Sequence, residues 1–323
     1  MTQLDASFGE AAHAASPAGP EPVTSEGGRA PRRRRRGAGP RATINLFYLP
    51  AVALFIVFIV YPLVRGVWLS MTNWNGYSPS YDFTGIANYV RLVSDSNVHT
   101  AFVNTVVYGL GSTLLQNVLG LAFALFLNSR FPLRTVGMAL IYLPVMIAPL
   151  IMGYIMYFFV RYDGGVLNDA LGVLGIAPVD WMADGTRAVV LITIVNSLQF
   201  VGVAMVIYLA GLQSIPAMYY EAAALDGAGS WQRFCNVTLP MLVPAITSSV
   251  LINLIGGLKL FDVIMALAGG SYSTNSLSTL ISRTYFGSEA AGYASAIGIV
   301  TFVFIIAVSA VAQRWLARKE VAQ

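Results

Sequence analysis

Hydrophobic residues in this chain form long uninterrupted runs, and the charged residues lie mostly in the segments between them. A helix needs about 20 apolar residues to cross the roughly 30 Å hydrocarbon core of a bilayer. Six runs meet this length, at residues 42–64, 101–127, 135–160, 188–212, 241–268 and 290–313. Backbone groups inside lipid need internal partners, and these runs do not alternate residue by residue, so the pattern predicts helices and not a β-barrel.

The basic residues between the runs predict the orientation. An even number of spans places both termini on the same side of the membrane. That side would hold 13 of the 19 Lys and Arg residues and the other side five, while Lys259 lies within a span. Because Lys and Arg are retained on the cytoplasmic side, both termini are predicted to be cytoplasmic.

The remaining segments complete the predicted domain organisation. Residues 1–43 are rich in Ala, Gly, Pro and Ser and contain the run Arg32–Arg36, which predicts a disordered basic tail. Residues 44–318 form the predicted six-helix transmembrane domain, and residues 319–323 form a short C-terminal tail. The arginine run suits contact with anionic membrane lipid or a role in fixing topology, and it is no indication of nucleic-acid binding.

The composition agrees with a membrane protein and excludes several chemistries. Of the 323 residues, 56% are hydrophobic and 11% are charged, whereas charged residues make up about a quarter of a soluble domain. The chain has one cysteine, two histidines and two lysines, so no HExxH metal site, local His-based catalytic pair or GxxxxGK[ST] phosphate loop can be written. We therefore expect a non-catalytic chain without a metal or a cofactor of its own, and a membrane-embedded enzyme is disfavoured.

The loop between the fourth and fifth runs, residues 214–240, is predicted to be an elbow of two short helices. Residues Ala217–Leu225 are mostly good helix formers. Asp226-Gly227 should end that helix, because glycine tolerates the positive φ of a sharp turn. Ser230 is a credible N-cap for a second helix, which Pro240 should not continue.

The same loop resembles a known family. Glu221-Ala222-Ala223, Gly227 and Val237-Thr238-Leu239-Pro240 have the spacing of the EAA loop in permease subunits of binding-protein-dependent ABC importers, with Val237 where the family usually has Ile. Residues 83–89 and Lys259-Leu260-Phe261-Asp262, followed by Gly269-Gly270, are similar to the carbohydrate-uptake branch, the maltose-type and glycerol-phosphate-type permeases. The resemblance covers about residues 42–318 and implies an all-α, type I ABC importer permease fold with a cytoplasmic coupling helix.

The resemblance also implies a set of partners. Two copies of a separate ABC ATPase would bind ATP and Mg²⁺, a second homologous permease would complete the pathway, and an extracytoplasmic solute-binding protein would deliver the solute at the bacterial inner membrane. Helix 217–225 would enter a groove on the ATPase, where small alanines allow close approach and Glu221 makes a charge-assisted contact. The implied coupling residues are Glu221, Ala222, Ala223, Asp226, Gly227, Leu239 and Pro240.

Polar residues inside the fourth and fifth spans are candidates for the solute pathway, because such residues tend to face the interior of a helix bundle. Together with positions counted from the family motif, the candidates are Asn196, Gln199, Phe200, Asn253, Gly256, Gly257 and Leu260. Hydrogen bonding between helices by the amides, and close packing by the glycines, is the alternative interpretation.

Lys259 and Asp262 are the charged residues within a predicted span. Their spacing of three residues predicts one helical face and an ion pair that lowers the cost of charge in the membrane. A structural pair is favoured over a gate, because the residues lie close to the end of the span.

A self-sufficient secondary transporter or channel is the alternative to an importer subunit. Such transporters often contain internal repeats in one chain, and no clear repeat is visible here. Within the importer interpretation, a pathway without arginine suits a neutral sugar or oligosaccharide. Glycerol phosphate or another non-sugar solute stays open if the partner permease supplies the positive charge.

Overall fold

The computed structural model describes residues 48–129, 132–271 and 273–320, and the predicted tail at residues 1–43 lies outside them. Of the described residues, those up to Leu54 belong to one unit and those from Phe55 onward to a second. Regular structure within the described ranges is helical apart from an isolated bridge between Thr72 and Phe83. The α-helices are α1 Leu49–Phe55, α2 Tyr61–Leu69, α3 Ala87–Ser94, α4 Ser96–Asn128, α5 Arg134–Tyr142, α6 Pro149–Val160, α7 Val166–Val173, α8 Gly185–Ser214, α9 Ala217–Leu225, α10 Ser230–Arg233, α11 Leu239–Met241, α12 Val243–Leu258, α13 Asp262–Ala268, α14 Leu277–Phe286 and α15 Ala291–Glu320.

Two π turns and one 3₁₀ turn join some of these helices. The π turn Ile56–Val60 connects α1 to α2, and the π turn Phe234–Thr238 connects α10 to α11. The 3₁₀ turn Leu143–Met146 follows α5. Helix α15 extends to Glu320, slightly beyond the predicted end of the transmembrane domain at residue 318.

Four helical stretches in the described chain are individually long and apolar enough to cross a bilayer. They are Leu49–Leu69, Ser96–Asn128, Gly185–Ser214 and Ala291–Arg318. Two bent pairs bring the number to six when each pair is counted as one span: Arg134–Met146 with Pro149–Val160, bent by 101°, and Ser230–Met241 with Val243–Leu258, bent by 65°. The all-α polytopic fold class is confirmed, but two of the predicted spans are not straight helices.

The run predicted as one span at residues 135–160 is broken in its middle. Ala148 is extended, with ψ at 134°, and α6 begins at Pro149. A proline disfavours the α conformation in the residue before it and lacks the N–H that a continuing helix would need. Pro149 therefore begins a new helix, a consequence that a window of mean hydropathy does not register.

The run predicted at residues 241–268 is also interrupted, between Leu258 and Asp262. Lys259 lies past the end of α12, Phe261 has φ −135° and ψ −62°, and Asp262 is the first residue of α13. The prediction that Lys259 and Asp262 share one helical face is wrong, because the helix on which the spacing was counted ends between them.

Small residues allow the central helices to approach closely. A Cβ on Gly120 of α4 would lie 2.5 Å from the Cβ of Ala204 on α8, and a Cβ on Gly257 of α12 would lie 2.9 Å from the Cα of Gly109. Interfaces of small residues are typical of helix packing in membranes, where lipid and side chain are equally apolar. Helices α4, α8 and α12 thus form a closely packed frame at the centre of the described helices.

Candidate functional site

The first arm of the elbow has the predicted structure. Helix α9, Ala217–Leu225, has Pro216 as its N-cap and Asp226 as its C-cap. Gly227 has φ +77°, and the N–H of Ala228 donates to the Ala223 carbonyl at 2.9 Å. This left-handed residue turns the chain while the carbonyls of the last helical turn keep partners.

The second arm differs from the prediction. Gly229, and not Ser230, is the N-cap of α10, and its N–H donates to Oε1 of Gln232 at 2.8 Å. The helix does not stop before Pro240 but continues through the π turn into α11, which contains Pro240 in its first turn. A π turn changes the hydrogen-bond register, so the missing N–H of Pro240 falls where a helix start tolerates it.

Hydrogen bonding and exposure define the surface of the elbow. The hydroxyl oxygens of Tyr220 and Thr238 lie 3.1 Å apart and join the two arms. The predicted coupling residues Glu221, Ala222, Asp226, Gly227 and Leu239 are exposed, and Ala223 and Pro240 are half-buried. Large apolar side chains of the elbow are exposed as well, since Leu225 is 89% and Trp231 74% exposed. An exposed apolar patch of this kind marks a surface for another protein or for a membrane.

A cavity of about 310 Å³ lies between α8, which leads into the elbow, and α12, which follows it. Six of the seven predicted pathway residues line it, namely Asn196, Phe200, Asn253, Gly256, Gly257 and Leu260. Sequence reasoning missed Gln116, Pro149, Val203, Ile252 and Phe261 in the lining. Gln116 could have been found by the same rule as the others, because it is a polar residue within an apolar span.

The amides of the cavity donate hydrogen bonds both between helices and within one helix. Nδ2 of Asn196 donates to Oγ of Ser112 at 3.0 Å, and Nε2 of Gln116 donates to the Asn196 carbonyl at 3.3 Å. Nδ2 of Asn253 donates to Oγ of Ser249, also at 3.3 Å. Oε1 of Gln116 is buried and has no hydrogen-bond partner in the described residues. Gln116 and Asn196 thus join α4 to α8 and also line the cavity, whereas the bond of Asn253 stays within α12. Gln116 keeps an acceptor that a hydroxyl group could use.

The two neighbouring glycines of α12 have different surroundings. A Cβ on Gly256 would have no atom within 4 Å, whereas a Cβ on Gly257 would lie 2.9 Å from the Tyr108 carbonyl oxygen. Gly256 therefore leaves the cavity open, and Gly257 permits the close contact between α12 and α4. Both glycines line the cavity, and Gly257 also has the packing role that the sequence offered as the alternative.

Gln199 is placed differently from its predicted position. It is fully buried, it does not line the cavity, and its Nε2 donates to the Ile147 carbonyl at 3.0 Å. Gln199 has this position because of the break before α6. The unwound segment leaves the Ile147 carbonyl without a backbone partner among the described residues, and the Gln199 side chain lies close enough to bind it. Lys259 and Asp262, in contrast, both line the cavity and give it one positive and one negative group.

Comparisons with known proteins agree with this arrangement. Residues 116–321 match the family model for the binding-protein-dependent transport system inner membrane component. The trehalose/maltose transport system permease protein MalF of Thermococcus litoralis is 34% identical over 263 residues, which cover 81% of this chain and 89% of that protein. The multiple sugar-binding transport system permease protein MsmF of Streptococcus mutans is 34% identical over 275 residues, covering 84% and 94% of the two chains.

A solved structure of a transport protein also resembles this chain. A chain from a bacterial ABC transporter involved in the import of the acidic polysaccharide alginate matches with a TM-score of 0.75 and 26% identity, over 86% of this chain and 96% of that chain. The elbow, the broken spans and the cavity thus occur in a chain that resembles transport permeases along most of its length. This chain belongs to the family of inner membrane components of binding-protein-dependent transport systems.

Proposed function

We propose that this chain is one of two membrane-spanning permease subunits in an ATP-driven importer of a sugar or sugar-derived solute, which an external binding protein delivers. The observation that carries the proposal is the direct connection between elbow and cavity. Helix α8 ends at the start of the elbow and supplies Asn196 and Phe200, while α12 begins just after it and supplies Asn253 and Gly256. A movement of the elbow therefore reaches the cavity along two helices.

The exposed surface of the elbow is suited to binding a partner subunit that would supply the energy for transport. Met218 and Leu225 lie three residues before and four residues after Glu221 on α9, so the three exposed side chains share one face of the helix. An apolar face with one negative charge is suited to a groove with a positive charge near it. Two copies of an ABC ATPase would bind ATP and Mg²⁺, close together, and carry the elbow with them. The packed helices would then rock between inward-facing and outward-facing arrangements around a site near the membrane midplane.

The distribution of charge supports the orientation. The side that carries the elbow would hold 13 of the 19 basic residues, so the elbow and both termini would be cytoplasmic. The second permease, homologous to this chain, would close the open side of the pathway. The binding protein would dock on the opposite face of the membrane.

The cavity supports a solute rich in hydroxyl groups. Its lining combines amides, the aromatic rings of Phe200 and Phe261, and a balanced pair of charges in Lys259 and Asp262. Amide groups offer donors and acceptors to hydroxyls, and flat apolar surfaces suit the faces of sugar rings. The relatives named for trehalose and maltose and for multiple sugars are consistent with this class of solute.

The test is affinity purification of the chain from native membranes in mild detergent, with mass spectrometry of the proteins that accompany it. We expect an ABC ATPase and a second permease of similar length. Recovery of this chain alone, moving solute into liposomes without ATP, would overturn the proposal and favour a secondary transporter.

A further inference from the structure

Two carbonyl groups at helix breaks are held by buried side chains from other parts of the chain. Nε2 of Gln199 donates to the Ile147 carbonyl at 3.0 Å, and Oγ of Ser276 donates to the Leu260 carbonyl at 2.7 Å. Both side chains are 0% exposed. No backbone N–H of the described residues bonds to either carbonyl. Each side chain therefore supplies a donor to a carbonyl that the break leaves without a backbone partner, and an unpaired backbone carbonyl inside a membrane protein is costly.

Both breaks border the cavity. Ile147 precedes Pro149 by two residues, and Pro149 lines the cavity. Leu260 lines the cavity itself, as do Phe261 and Asp262 immediately after it. The path of the backbone at these two points consequently sets where part of the cavity wall lies.

The helices that follow the two breaks pack against each other. A Cβ on Gly153 of α6 would lie 2.5 Å from the Cβ of Ala266 on α13, and 3.4 Å from the Cα of Val263. Such a close contact couples the helices, because a packed interface is displaced as a unit and not atom by atom. A change of angle at one break is therefore transmitted to the other.

The two donor residues, Gln199 and Ser276, lie in well-packed parts of the chain. Gln199 lies on α8, which is continuous from Gly185 to Ser214. Ser276 is the N-cap of α14, and the next residue, Leu277, donates its N–H to Oγ1 of Thr105 at 2.8 Å. The hydroxyl of Tyr108 also donates to the Thr274 carbonyl at 2.8 Å. Gln199 is thus held by α8, and the segment around Ser276 is held by hydrogen bonds to α4. These two helices pack closely against each other.

We propose that Gln199 and Ser276 are positioning residues that fix the two helix breaks beside the cavity and so determine its width, without either side chain contacting solute. The role of this cavity as the solute site rests on the proposed function. The positioning itself is a property of this chain and can be measured without solute or ATP.

The first test measures the break before α6 by electron paramagnetic resonance in the purified complex. Spin labels would be attached at Leu140→Cys and Phe158→Cys, whose native side chains are 65% and 56% exposed, in a Cys235→Ser background. Gln199→Met keeps the length of the side chain and removes the donor, and we expect it to widen the distribution of distances between the labels about twofold. Labels at Val190 and Val206 on continuous α8 serve as the control pair and should give an unchanged distribution.

The second test measures the break after α12 by chemistry in the cavity. Gly256→Cys places a thiol where a Cβ meets no atom within 4 Å, and a charged, water-soluble methanethiosulfonate reagent reports its accessibility. Ser276→Ala should change the labelling rate about threefold or more, and Ser276→Thr, which keeps the hydroxyl, should restore it. Ser197→Ala is the matched control, because that buried hydroxyl donates to the Thr193 carbonyl within its own helix.

The outcomes separate the two proposals. Unchanged label distances in Gln199→Met, together with an unchanged labelling rate in Ser276→Ala, would overturn the positioning role. If Gln199→Met does not assemble, the Ser276 series decides the matter alone. A chain that moves solute without ATP would overturn the proposed function and leave both structural readouts as they are.

Discussion

The hydroxyl groups of Tyr220 and Thr238 meet at 3.1 Å, and this bond joins the two arms of the elbow. Thr238 is buried and its Oγ1 also donates to the Arg233 carbonyl at 3.4 Å, while Tyr220 packs against the apolar core next to the elbow. The bond therefore connects the exposed helix α9 to the chain that continues into the bundle. It makes the elbow one body instead of two independently moving arms.

Tyr220→Phe removes this bond and keeps the ring. We expect the arms to lose about 1 kcal/mol of mutual stabilisation and the assembled complex to show a weaker, at least twofold reduced, stimulation of ATP hydrolysis by loaded binding protein. Tyr219→Phe is the matched control on the same helix, because Tyr219 is exposed. Equal stimulation in the two variants would show that the bond does not contribute to coupling.

Gly227 is the residue of the elbow whose backbone requires glycine. At φ +77° an L side chain is strained, and Gly227→Ala should cost about 1 to 2 kcal/mol, while Gly227→Pro cannot adopt this φ at all. We expect the proline variant to insert into the membrane and to lose association with the ATPase, measured by co-purification. Gly229→Ala is the control, because a Cβ there would approach only Oε1 of Gln232, at 3.8 Å. Normal co-purification of Gly227→Pro would contradict the coupling role of the elbow.

Glu221 is exposed on α9 and offers its carboxylate to a partner. Glu221→Lys reverses this charge and should reduce co-purification of the ATPase about tenfold, with normal amounts of the chain in the membrane. Asp169→Lys makes the same change of charge on exposed α7, far from the elbow along the chain, and should have no such effect. An ATPase yield that falls equally in both variants would point to net charge and not to a specific contact.

The adjacent glycines Gly256 and Gly257 should respond differently to the same substitution. Gly257→Ala forces a Cβ to 2.9 Å from the backbone of α4 and should lower the free energy of unfolding by about 1 to 3 kcal/mol, seen as a lower melting temperature. Gly256→Ala adds a methyl group to open space in a helix, so it should not lower the melting temperature, and it should raise the solute concentration needed for half-maximal transport. Identical thermal stability of the two variants would contradict the packing described for α12.

Local features of the site could be predicted from the sequence because their causes are local. The bounds of α9 and the positive φ of Gly227 follow from helix propensity and from the conformational freedom of glycine. The breaks at Ala148 and at Lys259–Phe261 could not be found by hydropathy, which averages over the residues that interrupt a helix. Pro149 carried a usable signal for the first break, since proline acts on the residue before it.

Features that depend on packing between distant segments could not be predicted in full from the sequence. Gly256 and Gly257 differ by one position, which is about 100° around a helix, and only the location of α4 decides which of them is packed. Gln199 and Phe200 are likewise adjacent, yet one bonds to the Ile147 carbonyl and the other lines the cavity. Gln116 is a polar residue within an apolar span, which makes it a candidate, but its place in the cavity depends on the packing of α4 against α8.

The π turn at Phe234–Thr238 gives the chain one point at which its length can change without altering the site. A π turn contains one residue more than the α-helical turn that it replaces, so deletion of a single residue there would be absorbed by conversion to a regular helix. The chain beyond it would keep its orientation, and Asn253 and Gly256 would still line the cavity, whereas deletion of one residue from regular α12 would rotate the residues after it by about 100°. In-frame loss of one codon should therefore preserve the orientation of the cavity residues when it falls between Phe234 and Thr238, and should alter it when it falls within α12.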